Sequence, residues 1–200
     1  YHGCIPMTEN REFDGLMVGG KMYRGKELMD FIDTQVKNAY FLPEDAPEKE
    51  ACRDFMWYLW NGAKSPVFGK DKNRSFEHYF IEDPEVMRET MNPYYQLSEE
   101  EETCDMILKE FGLPTKGSHI INGHMPVKIK SGETPIRAGG KLFIIDGGLS
   151  KAYQERTGIA GYTLIFNSHH LALAEHKPFD PERERTPKVY IVEKMQKRIT

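Results

Sequence analysis

The feature that most constrains the fold is a short apolar run that ends in a glycine and a histidine. Ile120-Ile121 reads as a strand, and Asn122-Gly123-His124 follows at its carboxyl end. A second apolar run, Leu142–Ile145, ends in Asp146-Gly147-Gly148. Ligand-binding groups in layered α/β folds collect beyond the carboxyl ends of strands. The pattern therefore predicts an α/β fold with His124 on a tight turn at such an edge, and His2-Gly3 is interpreted as a second strand end.

The residues before Lys116 have a mainly helical pattern, because their apolar side chains recur three and four positions apart. Ser98 and Glu101 have the spacing of a capping box and begin one such stretch. The predicted elements are a strand end followed by an irregular or hairpin segment (1–23), helices (Lys26–Tyr40, Pro47–Trp60, Ser98–Phe111) and irregular segments (61–76, 82–96).

After Lys116 the pattern changes to short strands separated by turn residues, which predicts an antiparallel run. Asn167-Ser168-His169-His170 is interpreted as a hairpin connection within it. The predicted strands are His119–Asn122, Leu142–Asp146, Tyr162–Asn167, Leu171–Glu175 and Lys188–Glu193.

Composition excludes several classes of protein. A hydrophobic content of 39% suffices for a packed core, and a net charge of −4 without a basic tract argues against nucleic-acid binding. No apolar run approaches the roughly 20 residues that cross a bilayer, so no membrane partner is expected. The three cysteines are far apart and form no metal-binding or disulfide pattern. This usage predicts a reducing, cytoplasmic location.

Three residues at the strand ends are candidates for a metal site. A neutral imidazole is a good ligand for Mn, Fe or Zn, which makes His124 and His2 candidate ligands. The alternative for each is a turn histidine bonded to backbone. Asp146 is a candidate to orient a ligating histidine through a hydrogen bond, without itself binding the metal. The alternative is an Asp-Gly turn that ends the strand.

The loop at 61–76 concentrates positive charge among glycine and proline. Arginine and lysine bind phosphate oxygens, so this loop is a candidate phosphate site, although a solvated charged face is the alternative. His169, His170, His176, His78 and His119 are interpreted as structural or surface residues, and Cys4 as a small core residue. The cations of the loop are Lys64, Lys70, Lys72 and Arg74.

Several motifs, taken together, resemble those of a known family. The segments YHGCIPM, SPVFGKDK, YFIED, NPYY, INGHMPV, IIDGGLSKAYQ, TGIAGYTL and AEHKPF resemble class III (Firmicutes-type) fructose-1,6-bisphosphatase, a branch of the calcineurin-like metallophosphoesterases. The resemblance covers nearly all of the chain. It implies half of a four-layer αββα sandwich, with residues 1–200 a partial catalytic domain, residues 41–113 a helical elaboration and residues 114–200 its β-rich C-terminal half.

The resemblance also implies chemistry. The family hydrolyses the 1-phosphate of fructose 1,6-bisphosphate at a two-metal site, generally with Mn, in gluconeogenesis. Carried over, His2 and His124 are metal ligands, and Lys70, Lys72 and Arg74 are candidates to hold the phosphates of the sugar bisphosphate. The last assignment departs from related phosphatases, which have an Arg-Gly in this region where this chain has Arg74-Ser75.

Other family motifs are absent. The sequence has no Asp-x-His, no Gly-Asp and no Gly-Asn-His, which supply the remaining metal ligands and the leaving-group acid in the family. We therefore expect a C-terminal or internal portion with no catalytic residue of its own, whose partner is the missing N-terminal half of the same polypeptide. This portion alone is expected to be inactive, and a homo-oligomer stays open.

Two alternatives remain at this stage. One is a related metallophosphoesterase that acts on another phosphoester, such as a phosphoprotein or a dinucleoside polyphosphate. The other is a non-catalytic binding or oligomerisation module that retains the fold.

Overall fold

A computed structural model describes residues 1–148, 150–151, 155, 157, 161–176 and 189–194. The chain divides into two compact units, a helical unit of residues 2–116 and a β-rich unit of residue 1 with residues 117–200. None of the helices in the described ranges is long and apolar enough to cross a membrane. That residues 41–113 elaborate a larger catalytic domain stays a prediction.

The helical unit begins with a hairpin and continues through helices. Of the two alternatives predicted for the end of segment 1–23, irregular or hairpin, the structure shows a hairpin: two antiparallel strands are joined by Gly19 and Gly20 with φ of 56° and 81°. Positive φ at both positions is typical of the tight turn that matches strand twist. The elements are β1 (Gly15–Val18), β2 (Lys21–Arg24), α1 (Gly25–Phe41), α2 (Pro47–Asn61), α3 (Pro84–Met87), α4 (Tyr94–Leu97) and α5 (Glu101–Glu110).

The two long helices pack on the hairpin through one apolar cluster. Leu28 of α1 is 0% exposed and lies with Leu16, Ile32 and Leu59. Apolar residues at helical spacing produce this face, which confirms the predicted helices to within a residue at each end. Pro47 occupies the first turn of α2, where its missing N–H costs no hydrogen bond.

The capping-box prediction at Ser98 is wrong. Ser98 ends α4 with helical backbone angles (φ −68°, ψ −8°), and its N–H donates to the Tyr94 carbonyl at 2.8 Å. Glu100 is extended and precedes α5 instead, with no side-chain capping bond. The reason is that Pro93 begins a helical turn upstream that includes Ser98. Residues 82–96 accordingly hold the short helices α3 and α4, where the pattern predicted mainly irregular structure.

The β-rich unit contains a mixed sheet, which corrects the antiparallel prediction. The strands are β3 (Ile120–Asn122), β4 (Ile136–Arg137) and β5 (Leu142–Ile144), in the order β3-β5-β4. β3 runs parallel to β5, and β4 runs antiparallel to it. Parallel neighbours require a long connection, and the stretch between β3 and β5 provides it. Short apolar runs indicate strands but not their direction.

A second sheet is the predicted antiparallel meander. It consists of β6 (Gly161–Phe166), β7 (His170–His176) and β8 (Val189–Lys194) in sequence order. Asn167 closes the β6–β7 hairpin, since its Oδ1 accepts from the N–H groups of His169 and His170 at 2.8 and 3.0 Å. The described residues therefore mix helices and strands, as the α/β class predicts.

Candidate functional site

His124 lies directly beyond the carboxyl end of β3. The parallel ladder ends with Ile145 N–H donating to the Asn122 carbonyl at 3.0 Å and Val127 N–H donating to the Asp146 carbonyl at 2.9 Å. Between these bonds the chain turns at His124, whose φ is +73°. A non-glycine residue in this left-handed region costs about 1–2 kcal/mol, and such strain concentrates at ligand-binding sites. His124 thus lies on a left-handed turn just beyond the end of β3.

Tyr1 runs alongside β3 on the edge opposite β5. Its nitrogen donates to the Ile121 carbonyl at 2.9 Å, and its carbonyl accepts from Gly123 N–H at 3.3 Å and from Asn122 Nδ2 at 3.2 Å. This is the bonding pattern of a parallel neighbour. The strand-end interpretation of the first residues is consistent with it. Through this bond the residue before His2 is joined to the residue before His124.

The glycine after His2 is required by a close backbone contact in the helical unit. Gly3 has φ +82°, and a Cβ at this position would lie 1.9 Å from the Pro66 carbonyl oxygen. The same oxygen accepts from Cys4 N–H at 2.8 Å. Ser65 is fully buried, and its hydroxyl donates to the Leu59 carbonyl at 2.6 Å and accepts from Val67 N–H at 3.2 Å. The His-Gly and Ser-Pro segments of the resemblance are therefore one packed structure.

Cys4 is a core residue, as predicted, and forms a contact with Tyr95. Its side chain is 0% exposed, and burial raises its pKa to about 12, although the Tyr95 hydroxyl acts in the opposite direction. Burial likewise raises the pKa of Tyr95. At neutral pH the Cys4 thiol is therefore protonated.

The cationic loop is neutralised by carboxylates of the helical unit. Lys70 Nζ donates to Glu89 Oε2 at 2.6 Å, and the Arg74 backbone N–H donates to Glu89 Oε1 at 2.8 Å. The Arg74 guanidinium donates to Glu77 at 2.5 Å. The remaining ion pairs are Lys72 with Asp71 at 3.9 Å and Lys64 with Asp14 at 3.1 Å.

Glu89 was missed by the sequence reasoning, since it lies far along the chain from both of its partners. Burial acts to raise its pKa, but the hydrogen bonds from Lys70 and Arg74 outweigh this and hold it below its ordinary value. The Arg74 guanidinium similarly lowers the pKa of Glu77. Both carboxylates are consequently ionised at neutral pH.

Asp146 ends its strand as a turn residue. Its Oδ1 accepts from Gly148 N–H at 2.8 Å, and its backbone carbonyl accepts from Val127 N–H at 2.9 Å. Its role behind a ligating histidine stays a prediction. His119 lies in the same sheet, where Nδ1 is 2.9 Å from the Gly140 carbonyl and the ring packs on Phe143.

No group of three or more His, Cys, Asp or Glu side chains arranged for a metal occurs among the residues that the structure describes. Imidazole and carboxylate groups bind divalent transition ions, so His124 and Asp146, beyond the ends of β3 and β5, have side chains of a suitable type. Two such groups are only part of the ligands that such an ion needs.

Comparisons with known proteins match this chain to fructose-1,6-bisphosphatases over nearly its whole length. Residues 1–199 match the family model for Firmicute fructose-1,6-bisphosphatase. A fructose-1,6-bisphosphatase class 3 from Fusobacterium nucleatum is 53% identical over 90% of this chain, and one from Bacteroides fragilis is 51% identical over 90%. One from Finegoldia magna is 47% identical over 100% of the chain.

These matches cover only part of the relatives. The chain spans 28% of the Fusobacterium nucleatum protein and 31% of the Finegoldia magna protein. No solved structure matches the chain significantly. The family model matches nearly the whole chain, and the relatives are about half identical to it. The chain therefore belongs to the Firmicute fructose-1,6-bisphosphatase family.

Proposed function

We propose that the protein carrying this chain hydrolyses fructose 1,6-bisphosphate to fructose 6-phosphate and phosphate with a metal-activated water. His2 and His124 are the metal ligands that this chain contributes. A bound pair of divalent ions, with Mn as the expected metal, would polarise the phosphoryl oxygens and generate hydroxide at neutral pH. The names of the matched relatives support the substrate.

The observation that supports the ligand assignment is the left-handed turn at His124 beside Tyr1. Gly123 N–H bonds the Tyr1 carbonyl at 3.3 Å, so the residues that precede both histidines are hydrogen-bonded neighbours. His124 follows directly after that bond, and a neutral imidazole on a turn at a strand end suits a divalent metal ion.

The loop cations are the proposed phosphate-binding residues. Lys70 and Arg74 are held together by Glu89, and Lys72 lies on the same loop. A planar guanidinium and ammonium groups suit the phosphate groups of a sugar bisphosphate. In this proposal they bind and orient the phosphates, while Asp146 orients a ligating histidine through the sheet edge that it shares with His124.

The four-layer sandwich is part of the same proposal. The mixed sheet β3-β5-β4 and the meander β6-β7-β8 each provide strands for one sheet layer. Tyr162 N–H, in β6, donates to the Ile145 carbonyl just after β5 at 3.1 Å, which supports adjacent strands in the two sheets. Because this chain spans 28–31% of its relatives, the remaining ligands are proposed to come from polypeptide outside residues 1–200.

The test is the substitution His124→Ala in the full-length protein that contains this chain. Loss of a metal ligand should lower Mn-dependent phosphate release from fructose 1,6-bisphosphate by at least about 100-fold. His169→Ala is the matched control, since His169 is exposed on the β6–β7 hairpin. Bound Mn per protein, measured by atomic spectrometry, should fall in the first variant only. Wild-type turnover in His124→Ala would remove the ligand assignment.

Substrate choice needs a separate measurement on the wild-type protein. Fructose 1,6-bisphosphate should be hydrolysed with a higher kcat/KM than a phosphoprotein or a dinucleoside polyphosphate. A higher kcat/KM for either of the latter would replace the proposed substrate. No hydrolysis of any of the three, together with no Mn binding, would indicate a non-catalytic module.

A further inference from the structure

We infer that Glu89 is an internal competitor for the substrate's phosphate, occupying the cationic loop until a more highly charged anion displaces it. This inference rests on the proposed role of Lys70 and Arg74, and it adds a residue that sets the affinity of the loop for phosphate esters. Glu89 lies outside every motif that carried the family resemblance.

The contacts of Glu89 resemble those that a phosphate would make. One carboxylate oxygen accepts from the Lys70 ammonium at 2.6 Å and the other from the Arg74 backbone N–H at 2.8 Å. An ammonium combined with a main-chain N–H is a common arrangement for binding phosphate oxygens. The Glu89 side chain is 21% exposed and that of Lys70 is 33% exposed, so an anion from solvent can reach the pair.

The charges of the loop balance, which leaves no net attraction for a substrate. Lys70, Lys72 and Arg74 are each within ion-pair distance of a carboxylate, in the pairs with Glu89, Asp71 and Glu77. With the pair of Lys64 and Asp14, four positive charges face four negative charges and cancel. Withdrawal of the Glu89 carboxylate would leave one net positive charge at the place that we propose for the phosphate.

The Arg74 side chain has a donor that Glu89 does not use. The Arg74 Nε is buried and has no hydrogen-bond partner within the described part of the chain. A buried N–H without an acceptor costs free energy, so an arriving oxygen would be favoured there. Glu89 has two carboxylate oxygens, and both are engaged by the other donors. A phosphate ester offers three oxygens and a charge near −2, so it can engage both of the donors that hold Glu89 and still has an oxygen free for another donor.

The backbone beside Glu89 is fixed, so displacement requires only a side-chain rotation. Asp71 N–H donates to the Thr90 carbonyl at 3.0 Å, and Thr90 N–H donates to Asp71 Oδ1 at 2.7 Å. Lys70 and Met91 form an antiparallel bridge beside these bonds. The loop therefore keeps its cations in place when the carboxylate moves away.

The experiment is Glu89→Gln in the full-length protein, with Glu85→Gln as the matched control. Gln keeps the size and one acceptor oxygen of Glu89 but removes its charge, whereas Glu85 is exposed on α3. The KM for fructose 1,6-bisphosphate and the inhibition constant of inorganic phosphate should both fall about threefold to tenfold, as expected for loss of a partly buried competing charge. The control should leave both unchanged.

A structural role for Glu89 predicts the opposite result, since loss of an ion pair would loosen the loop and weaken binding. An unchanged or increased KM in Glu89→Gln would therefore overturn the inference. Lys70→Met added to Glu89→Gln should abolish the gain in affinity, and a gain that survives would also overturn it. Direct titration with inorganic phosphate in a calorimeter tests the same point without turnover, so failure of the proposed substrate is distinguishable from failure of this inference.

Discussion

The glycine of the His2-Gly3 pair has a physical explanation that is independent of metal binding. Its left-handed φ of +82° and the approach of the Pro66 carbonyl leave no space for a Cβ. The carbonyl also accepts from Cys4 N–H, so it cannot move away without loss of a hydrogen bond. The residue that follows the proposed ligand His2 is therefore fixed by packing of the 65–67 turn.

Gly3→Ala should destabilise the chain by at least about 3 kcal/mol, because backbone must shift to accept the new methyl group. Gly112→Ala is the matched control: Gly112 has φ +70°, but a Cβ added there would meet no heavy atom within 4 Å. Its cost should be only the left-handed strain, about 1 kcal/mol. Urea unfolding of both variants measures the difference, and equal losses would show that the contact with Pro66 does not restrict position 3.

At the residue scale, sequence reasoning recovers what depends on local chemistry. A Gly-His at a strand end singles out His124, and its φ of +73° places it at a strained turn there. Glu89 was missed because its partners Lys70 and Arg74 are distant along the chain, and no spacing rule relates them. The prediction at Ser98 failed because a capping-box pattern competes with the helical turn that begins at Pro93.

At the scale of elements, periodicity predicts the helices and fails on strand direction. The face that contains Leu28 and Ile32 repeats at helical spacing, and α1 follows it closely. β4 contains only Ile136 and Arg137, too few residues for any alternation, and it was not predicted. The parallel pairing of β3 with β5 depends on the path of the chain between them, which a local pattern does not encode.

The α1–α2 pair should depend strongly on its single apolar cluster. Leu28 is 0% exposed in that cluster, so Leu28→Ala should lower the free energy of unfolding by about 2–5 kcal/mol through lost burial and a residual cavity. Leu113→Ala removes the same atoms from a side chain that is 47% exposed and should cost under about 1 kcal/mol. Thermal unfolding followed by circular dichroism compares the two. Similar shifts in Tm would contradict the assigned core.

At the scale of the whole molecule, the chain combines a family identity with only part of the length of its relatives. Its sequence matches the family over residues 1–199, while the relatives extend over more than three times that length. The described residues contain no cluster of three metal-binding side chains. In the proposed dinuclear centre, His2 and His124 would be joined by ligands from outside residues 1–200.

The 200-residue chain by itself should therefore bind Mn weakly and hydrolyse fructose 1,6-bisphosphate negligibly. Two imidazoles leave most positions of a metal ion to water, so its affinity should be at least about 100-fold below that of the full-length protein. Calorimetric titration with Mn and a colorimetric assay for released phosphate measure both quantities, with the full-length protein as the positive control. His124→Ala in the short chain should remove the residual binding, because His124 is one of its two proposed ligands. Robust Mn-dependent phosphate release by the short chain would show instead that residues 1–200 contain a complete catalytic site.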